Sequence, residues 1–303
     1  MNEPLFAVTG AAGQTGQAAV TSLLERGARV RALVRAEDDR SAALATAGAE
    51  IAVVDLFDPR ALEPALADAS GVYLAVPGSD YTLEAVAVFL AAARNQAVQS
   101  VVYLSQWLAH NSAEAPGPNH RSRVTRQTWH AEQLLDATDM RVTHLIPGWF
   151  AANTLVGLPA VMQSGELRLP LGDGINVPPT NADIGRVAAG VLVDPAPYAG
   201  QRLRPTSAVE VKPDDLAGAL GSAMGKPIPY VPIDNDEFVA TVKAAGMVPD
   251  SVVDDIVLYA DEYRAGTFGT GGPTDIVESV GGQPPEDLED FYRGQLTAMG
   301  IIS

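Results

Sequence analysis

The sequence predicts an α/β fold built on a doubly wound parallel sheet. Three observations carry this. Short β-branched runs alternate with amphipathic segments through the first half of the chain. The runs are four to seven apolar residues long and bounded by turns, which suits strands covered on both faces. A glycine-rich turn joins the first run to the first helical segment.

In order, Leu5–Thr9 reads as a strand and Gln17–Arg26 as a helix stopped by Gly27. Ala28–Val34, Ile51–Val54 and Val72–Val76 are the next strands, with a helix at Pro59–Leu66. Ser100–Leu104 and Arg141–Ile146 are the fifth and sixth strands. Strand, helix, strand in repetition implies right-handed crossovers in one parallel sheet. After Pro147 the pattern changes. Segment 156–180 is rich in Gly and Pro and reads as loops and short elements. Helices are expected at Asp183–Val193, Lys212–Met224, Asp236–Ala245 and Ser251–Ala265, with a strand at Arg202–Pro205. A glycine-rich passage, Gly266–Gly272, leads to a short helix and an acidic tail. Residues 1–155 are therefore expected to form a nucleotide-binding unit. Residues 156–303 would form a smaller substrate-covering region, some of whose elements return to the sheet.

The sharpest motif is Thr9-Gly10-Ala11-Ala12-Gly13-Gln14-Thr15-Gly16, after a strand and opening a helix. Gly10 permits a tight turn, Gly13 lets backbone approach a pyrophosphate, and Gly16 permits close helix–strand packing. Free N–H groups at the helix start favour phosphate. This is the context of a Rossmann-type dinucleotide site. The second strand ends Leu33-Val34-Arg35, where NAD sites carry an acid for the ribose 2′-hydroxyl. An arginine suits a 2′-phosphate, so NADP(H) is the expected cofactor. Gln14 and Thr15 add neutral contacts and Arg40 is a second clamp; Glu37 leaves NAD open as the other reading. Asp55 and Leu56 follow the third strand beside the expected adenine. Val76 and Pro77 end the fourth, beside the expected ribose.

Composition bounds the chemistry. Lys and Arg number 20 against 37 Asp and Glu, a net charge of −17. That balance argues against charge-driven binding to nucleic acid or to anionic lipid. The absence of cysteine removes disulfides and thiolate chemistry. The four histidines show no metal-ligand spacing. The N-terminus lacks the basic start of a signal peptide and no apolar stretch is long enough to span a bilayer, so a cytoplasmic protein is expected. Nothing in the sequence demands a homodimer, although one suits such folds. All 15 bases before residue 206 are arginine; the only lysines are Lys212, Lys226 and Lys243. The usual Tyr-x-x-x-Lys pair, in which the lysine tunes the tyrosine that moves the proton, is therefore absent. His130 is the nearest proton-transfer candidate, or else a helix-surface histidine. Ser105 ends the fifth strand and would bond a substrate oxygen or cap the strand. Trp107, Trp149 and Phe150 fall at strand exits, where they stack on a flat acceptor or pack the core. Tyr259 and Tyr263 share a helix face and are placed at the lid.

Together these residues resemble the NmrA-like family of atypical short-chain dehydrogenases/reductases. The likeness covers nearly the whole chain. It runs from Gly10, Gly13, Gly16 and Val34-Arg35 through Pro147-Gly148-Trp149-Phe150 and Asn153. It continues with Asp183-Ile184-Gly185, Tyr263-Arg264-Ala265-Gly266 and Pro284-Pro285-Glu286-Asp287. The resemblance implies either an NADPH-dependent reductase of quinones, dyes or ethers, or a non-catalytic NADP(H) sensor that regulates partners. The ether reductases of the family carry a lysine where this chain has Thr128. A neutral planar acceptor such as a quinone is then the expected substrate class. The acidity of residues 206–303, with 17 acids and 5 bases, points to a neutral or cationic acceptor. A dedicated biosynthetic isomerase or reductase is a third reading.

Overall fold

Seven strands form one sheet: β1 (Leu5–Val8), β2 (Arg29–Val34), β3 (Glu50–Val53), β4 (Ala69–Leu74), β5 (Ser100–Leu104), β6 (Arg141–Leu145) and β8 (Arg202–Leu203). Their order is β3-β2-β1-β4-β5-β6-β8 and every pairing is parallel. The order reverses beside β1, and that switch point opens a crevice above the carboxyl ends of β1 and β4. A computed structural model describes residues 3–76, 78, 81–96, 98–113, 115–244 and 253–302.

Both faces of the sheet are covered, as its apolar strands require. On one face α1 (Gln14–Glu25) and α7 (Asn181–Val193) pack Ala19, Val20, Leu23, Ile184, Val187 and Val191 over Phe6, Val8, Tyr73 and Val102. On the other, α3 (Pro59–Ala65), α4 (Thr82–Ala93) and α5 (Arg123–Asp136) bury Leu62, Val86, Phe89, Ala131 and Leu135 against Ala7, Val72, Val101 and Tyr103. β1 and β5 send alternate residues to opposite faces, as a strand period of two dictates.

A second core lies beyond the carboxyl end of β6. There β7 (Leu167–Leu169) and β9 (Tyr230–Pro232) pair in parallel. Around them pack α6 (Leu158–Ser164), α8 (Pro213–Met224), α9 (Asn235–Ala244), α10 (Val253–Arg264) and α12 (Leu288–Ala298). A short α11 (Ile276–Ser279) lies against α7 instead. Segments after residue 156 thus contribute both α7 and β8 to the main sheet.

Some element bounds differ from the sequence expectation. The first helix starts at Gln14, not Gln17, because it begins directly on Gly13. An unexpected α2 (Asp39–Thr46) follows β2; Asp38 caps it, accepting from the N–H of Ser41 at 3.0 Å while Ser41 Oγ accepts the Asp38 N–H at 2.8 Å. The short elements expected within segment 156–180 are α6 and β7. The strand expected at Arg202–Pro205 pairs over two residues only.

α1 and α7 meet with almost no side chain between them. A β-carbon at Gly185 would sit 2.4 Å from Ala18 Cβ and 2.6 Å from backbone atoms of α1. Gly185→Ala should therefore force the two helices apart and cost about 1–3 kcal/mol by urea unfolding. In contrast, a β-carbon at Gly218, on the exposed side of α8, meets nothing within 4 Å. Gly218→Ala should stabilise by about 0.5–1 kcal/mol through helix propensity alone.

Candidate functional site

The turn from β1 into α1 is held from below by Thr9. Its buried hydroxyl donates to the Ala75 carbonyl at 2.9 Å and accepts the Ala75 N–H at 2.9 Å, tying the ends of β1 and β4 together. Gly10 takes φ +60°, a conformation disfavoured for side chains with a Cβ. A β-carbon at Gly16 would lie 2.2 Å from the Gly10 carbonyl oxygen. Only glycine lets the helix start so close to the strand end. No side chain caps α1 and its first turn holds no carboxylate, so its N-terminal N–H groups remain available to an anion.

This turn forms one wall of a cleft of about 580 Å³. Gly10, Gly13, Thr15, Arg35, Asp55, Leu56 and Val76 all line it, as does Arg40. Arg35 is exposed at the lip. Arg40 donates to Asp38 at 2.9 Å and holds that carboxyl below the usual carboxylate range. Asp55 Oδ1 accepts the Phe57 N–H at 2.9 Å, so one of its oxygens serves the local turn. Gln14 points elsewhere: its side-chain oxygen accepts from Asn181 Nδ2 at 2.5 Å, pinning the start of α1 to α7. Gly16 acts in packing, not in the lining. Pro77 lies outside the described residues. Two aromatics that sequence reasoning missed stand at the mouth. Phe57 and Tyr81, 47 % and 60 % exposed, meet edge to face at 6.2 Å.

A second recess of about 260 Å³ adjoins the cleft, and Val76 and Leu104 line both. Ser105, Trp107, Trp149, Phe150 and Tyr259 come together there, beside Gln106, Thr128 and Phe268. Its polar edge is ordered. Tyr259 donates to Gln106 Oε1, Gln106 Nε2 donates to Thr128 Oγ1 at 3.0 Å, and Thr128 donates to the Val124 carbonyl at 2.9 Å. The rest of the lining mixes aromatic with aliphatic side chains, with Tyr259 and Phe268 near parallel at 6.5 Å.

Two expected positions need correction. His130 does not face the recess; it is exposed on the outer side of α5, in a shallow groove with Glu84, Arg123 and Arg126. The helix turns His130 outward because the face of Thr125, Thr128, Ala131, Glu132 and Leu135 is the buried one. Tyr263 does not line the recess either. It is fully buried behind Trp149, edge to face at 5.6 Å, one step deeper in the second core.

Beneath the recess lies a buried carboxylate, Glu132, at 0 % exposure. Ser105 donates its hydroxyl to Glu132, so toward the recess Ser105 presents lone pairs rather than a proton. His110 Nε2 reaches the same carboxylate at 2.7 Å and Arg202 Nε at 2.9 Å. Burial by itself would raise the Glu132 carboxyl, but the hydrogen bonds from His110 and Ser105 and the neighbouring His144 hold it below the usual range. Its signal in the sequence was a lone acid on the apolar stripe of a helix, a pattern that demands a partner.

Glu262 of α10 plays a similar part at the side of the recess. It accepts from the Ser112 hydroxyl, from the Ala113 N–H at 2.9 Å and from Thr267 Oγ1 at 2.5 Å, with His120 Nε2 3.6 Å away. These contacts pin the α10 helix, and with it Tyr259, to the loop after β5. Burial opposes ionisation of Glu262, but the four donors outweigh it and push its pKa down to about 2. A carboxyl lowered on folding stabilises the native state above its unfolded pKa of about 4.3, and loses that contribution as pH falls. Stability should therefore decline between about pH 4.3 and pH 2. Glu262→Gln should flatten that slope in denaturant titrations at a series of pH values.

Among the described residues no cluster of His, Asp and Glu could hold a metal, and no helix is long and apolar enough to cross a membrane. Comparison with known proteins gives one family. The model of the NmrA-like family matches residues 3–293. The NAD(P)H azoreductase of Xenophilus azovorans is 27% identical over 300 residues, covering 98% of this chain and 99% of that protein. Quinone oxidoreductase 2 of Escherichia coli K12 is 27% identical over 290 residues, covering 94% and 96%. Among solved structures, an Escherichia coli NADPH-dependent quinone oxidoreductase complexed with NADPH superposes with a TM-score of 0.79 at 24% identity, over 96% of this chain and 99% of that one.

Proposed function

The chain belongs to the NmrA-like family, and from that premise we propose that it is an NADPH-dependent oxidoreductase that passes hydride to a neutral planar acceptor such as a quinone. The observation that carries this reading is the junction of two cavities. A glycine-walled cleft with arginines at its lip runs directly into an aromatic recess at the ends of β4, β5 and β6.

The residues present fit a dinucleotide phosphate. Gly10, Gly13 and Thr15 offer backbone to the pyrophosphate, and Arg35 with Arg40 takes the 2′-phosphate. Val54, Leu56 and Phe57 give the base an apolar seat at the end of β3. When bound, reduced nicotinamide supplies the hydride, and the protein's task is to position and to exclude water. Trp107, Trp149, Phe150, Tyr259 and Phe268 offer flat faces to a flat acceptor. The Gln106 amide, fixed between Tyr259 and Thr128, is placed to orient an acceptor oxygen. Relatives named for azo and quinone reduction agree with such an acceptor.

A second reading, an NADP(H) sensor of the regulatory type, is favoured by one observation. Among the described residues, the recess lining holds no histidine, lysine or carboxylate to move a proton. The two readings separate in one assay. NADPH oxidation with a panel of quinones should exceed the uncatalysed rate at least tenfold; tight NADPH binding without turnover would select the sensor. Cofactor choice is tested separately by titration calorimetry. Arg35→Ala should weaken NADPH binding by roughly 10–100-fold, in line with about 1.5–3 kcal/mol for a hydrogen bond to a charged group, and leave NADH within about twofold.

A further inference from the structure

Among the described residues, nothing that lines the acceptor recess carries a formal charge. One cation stands directly behind its wall. Arg204 follows β8 and is 6 % exposed. Its guanidinium carbon lies 3.7 Å from the centroid of the Trp107 ring. It donates to the carbonyls of Phe268, at 2.6 Å, and of Thr270. Trp107, whose ring it faces, and Phe268, whose carbonyl it holds, both line the recess.

Arg204 is held by neutral groups alone. Its Nε is buried without a hydrogen-bond partner, and no described carboxylate forms an ion pair with it. Two other buried charges near the recess are matched, and a third, Asp255 of α10, bears on the Tyr259 hydroxyl with the opposite sign. Glu132, behind Ser105, faces Arg202 at 2.9 Å and His110 at 2.7 Å. Glu262, beside Thr267, has four donors around it. Isolated burial works against a cation, and it pushes Arg204 down to about 10, still charged at neutral pH. A fixed charge in a poorly solvated wall acts over several ångströms, because little water screens it.

We propose that Arg204 makes the recess an anion-stabilising pocket, selecting planar acceptors that carry negative charge or acquire it on reduction. Its occupant's identity rests on the reductase reading above; the charge preference does not. A neutral quinone that has gained a hydride is an oxyanion until it takes a proton from water, so the same field serves reduction of a neutral acceptor. The overall acidity of residues 206–303 suggested a neutral or cationic acceptor; the local charge disfavours the cationic one.

The test uses the full chain saturated with NADPH, so that the phosphate cleft is filled and no cationic nicotinamide ring adds its own charge. Calorimetry then compares three redox-inert ligands of one shape: naphthalene-2-sulfonate, naphthalene-2-sulfonamide and 2-naphthyltrimethylammonium. The expected order is anion, then neutral, then cation, with roughly tenfold between the extremes. Arg204→Gln keeps donors for the two carbonyls but removes the charge, and should bring all three within about twofold. Arg204→Lys should retain most of the preference. A purely structural role for Arg204 would lower all three affinities together. Wild-type protein that binds the cation as tightly as the anion overturns the proposal, and needs no variant to fold. So does an Arg204→Gln protein, folded by circular dichroism, that keeps the wild-type order. Absence of quinone reduction with the order intact would remove the reductase reading and leave this inference standing.

Discussion

The structure depends on backbone approaching backbone where a side chain would stand. The Gly10 carbonyl and Gly16 are so close that a β-carbon would lie 2.2 Å from the oxygen. This lets α1 begin close above the carboxyl end of β1 and direct its free N–H groups over the switch point. The same economy of volume continues outward. Gly185 seats α7 against Ala18 of α1, and Asn181 at the start of α7 holds Gln14. Asp183 of α7 then accepts the Glu286 N–H at 3.1 Å and pairs with Arg186, which reaches the Pro284 carbonyl at 3.0 Å. One steric condition in the first turn thus positions the free N–H groups of α1, the covering helix and part of the C-terminal segment.

The second organising element is charge without water. Glu132 of α5 gathers Ser105 and His110 from the segment after β5 and Arg202 from β8 into one cluster below the recess. Such a cluster is stable only when every partner is present, since removing one leaves a buried charge exposed to low dielectric. Arg204 lies on the opposite terms, with carbonyls and a ring face in place of a carboxylate. Among the described residues the recess lining is neutral, and charges of both signs stand behind it.

Much of this was legible in the sequence. The strand and helix alternation, the glycine turn and Arg35 depend on local pattern, and the structure places Gly10, Gly13, Thr15, Arg35, Asp55, Leu56 and Val76 around one cleft. The strand-exit rule likewise gathered Ser105, Trp107, Trp149 and Phe150. What failed was orientation. His130 and Tyr263 lie on helices near the recess, but a helix turns 100° per residue and neighbouring positions face different surroundings. Phe57 and Tyr81 were invisible because their meeting joins two loops far apart in sequence. The Arg204–Trp107 contact likewise spans the two halves of the chain. Summed charge gave −17, yet a buried cation, Arg204, stands against the Trp107 wall of the recess.

The central claim is that the cleft and the recess together form one hydride-transfer site. Anaerobic rapid mixing of the stoichiometric NADPH complex with excess quinone tests it in a single turnover. The account predicts loss of one equivalent of reduced nicotinamide per protein, with a rate that saturates in quinone as the recess fills. Decay of the bound NADPH at the rate of the free cofactor, independent of quinone, would contradict it.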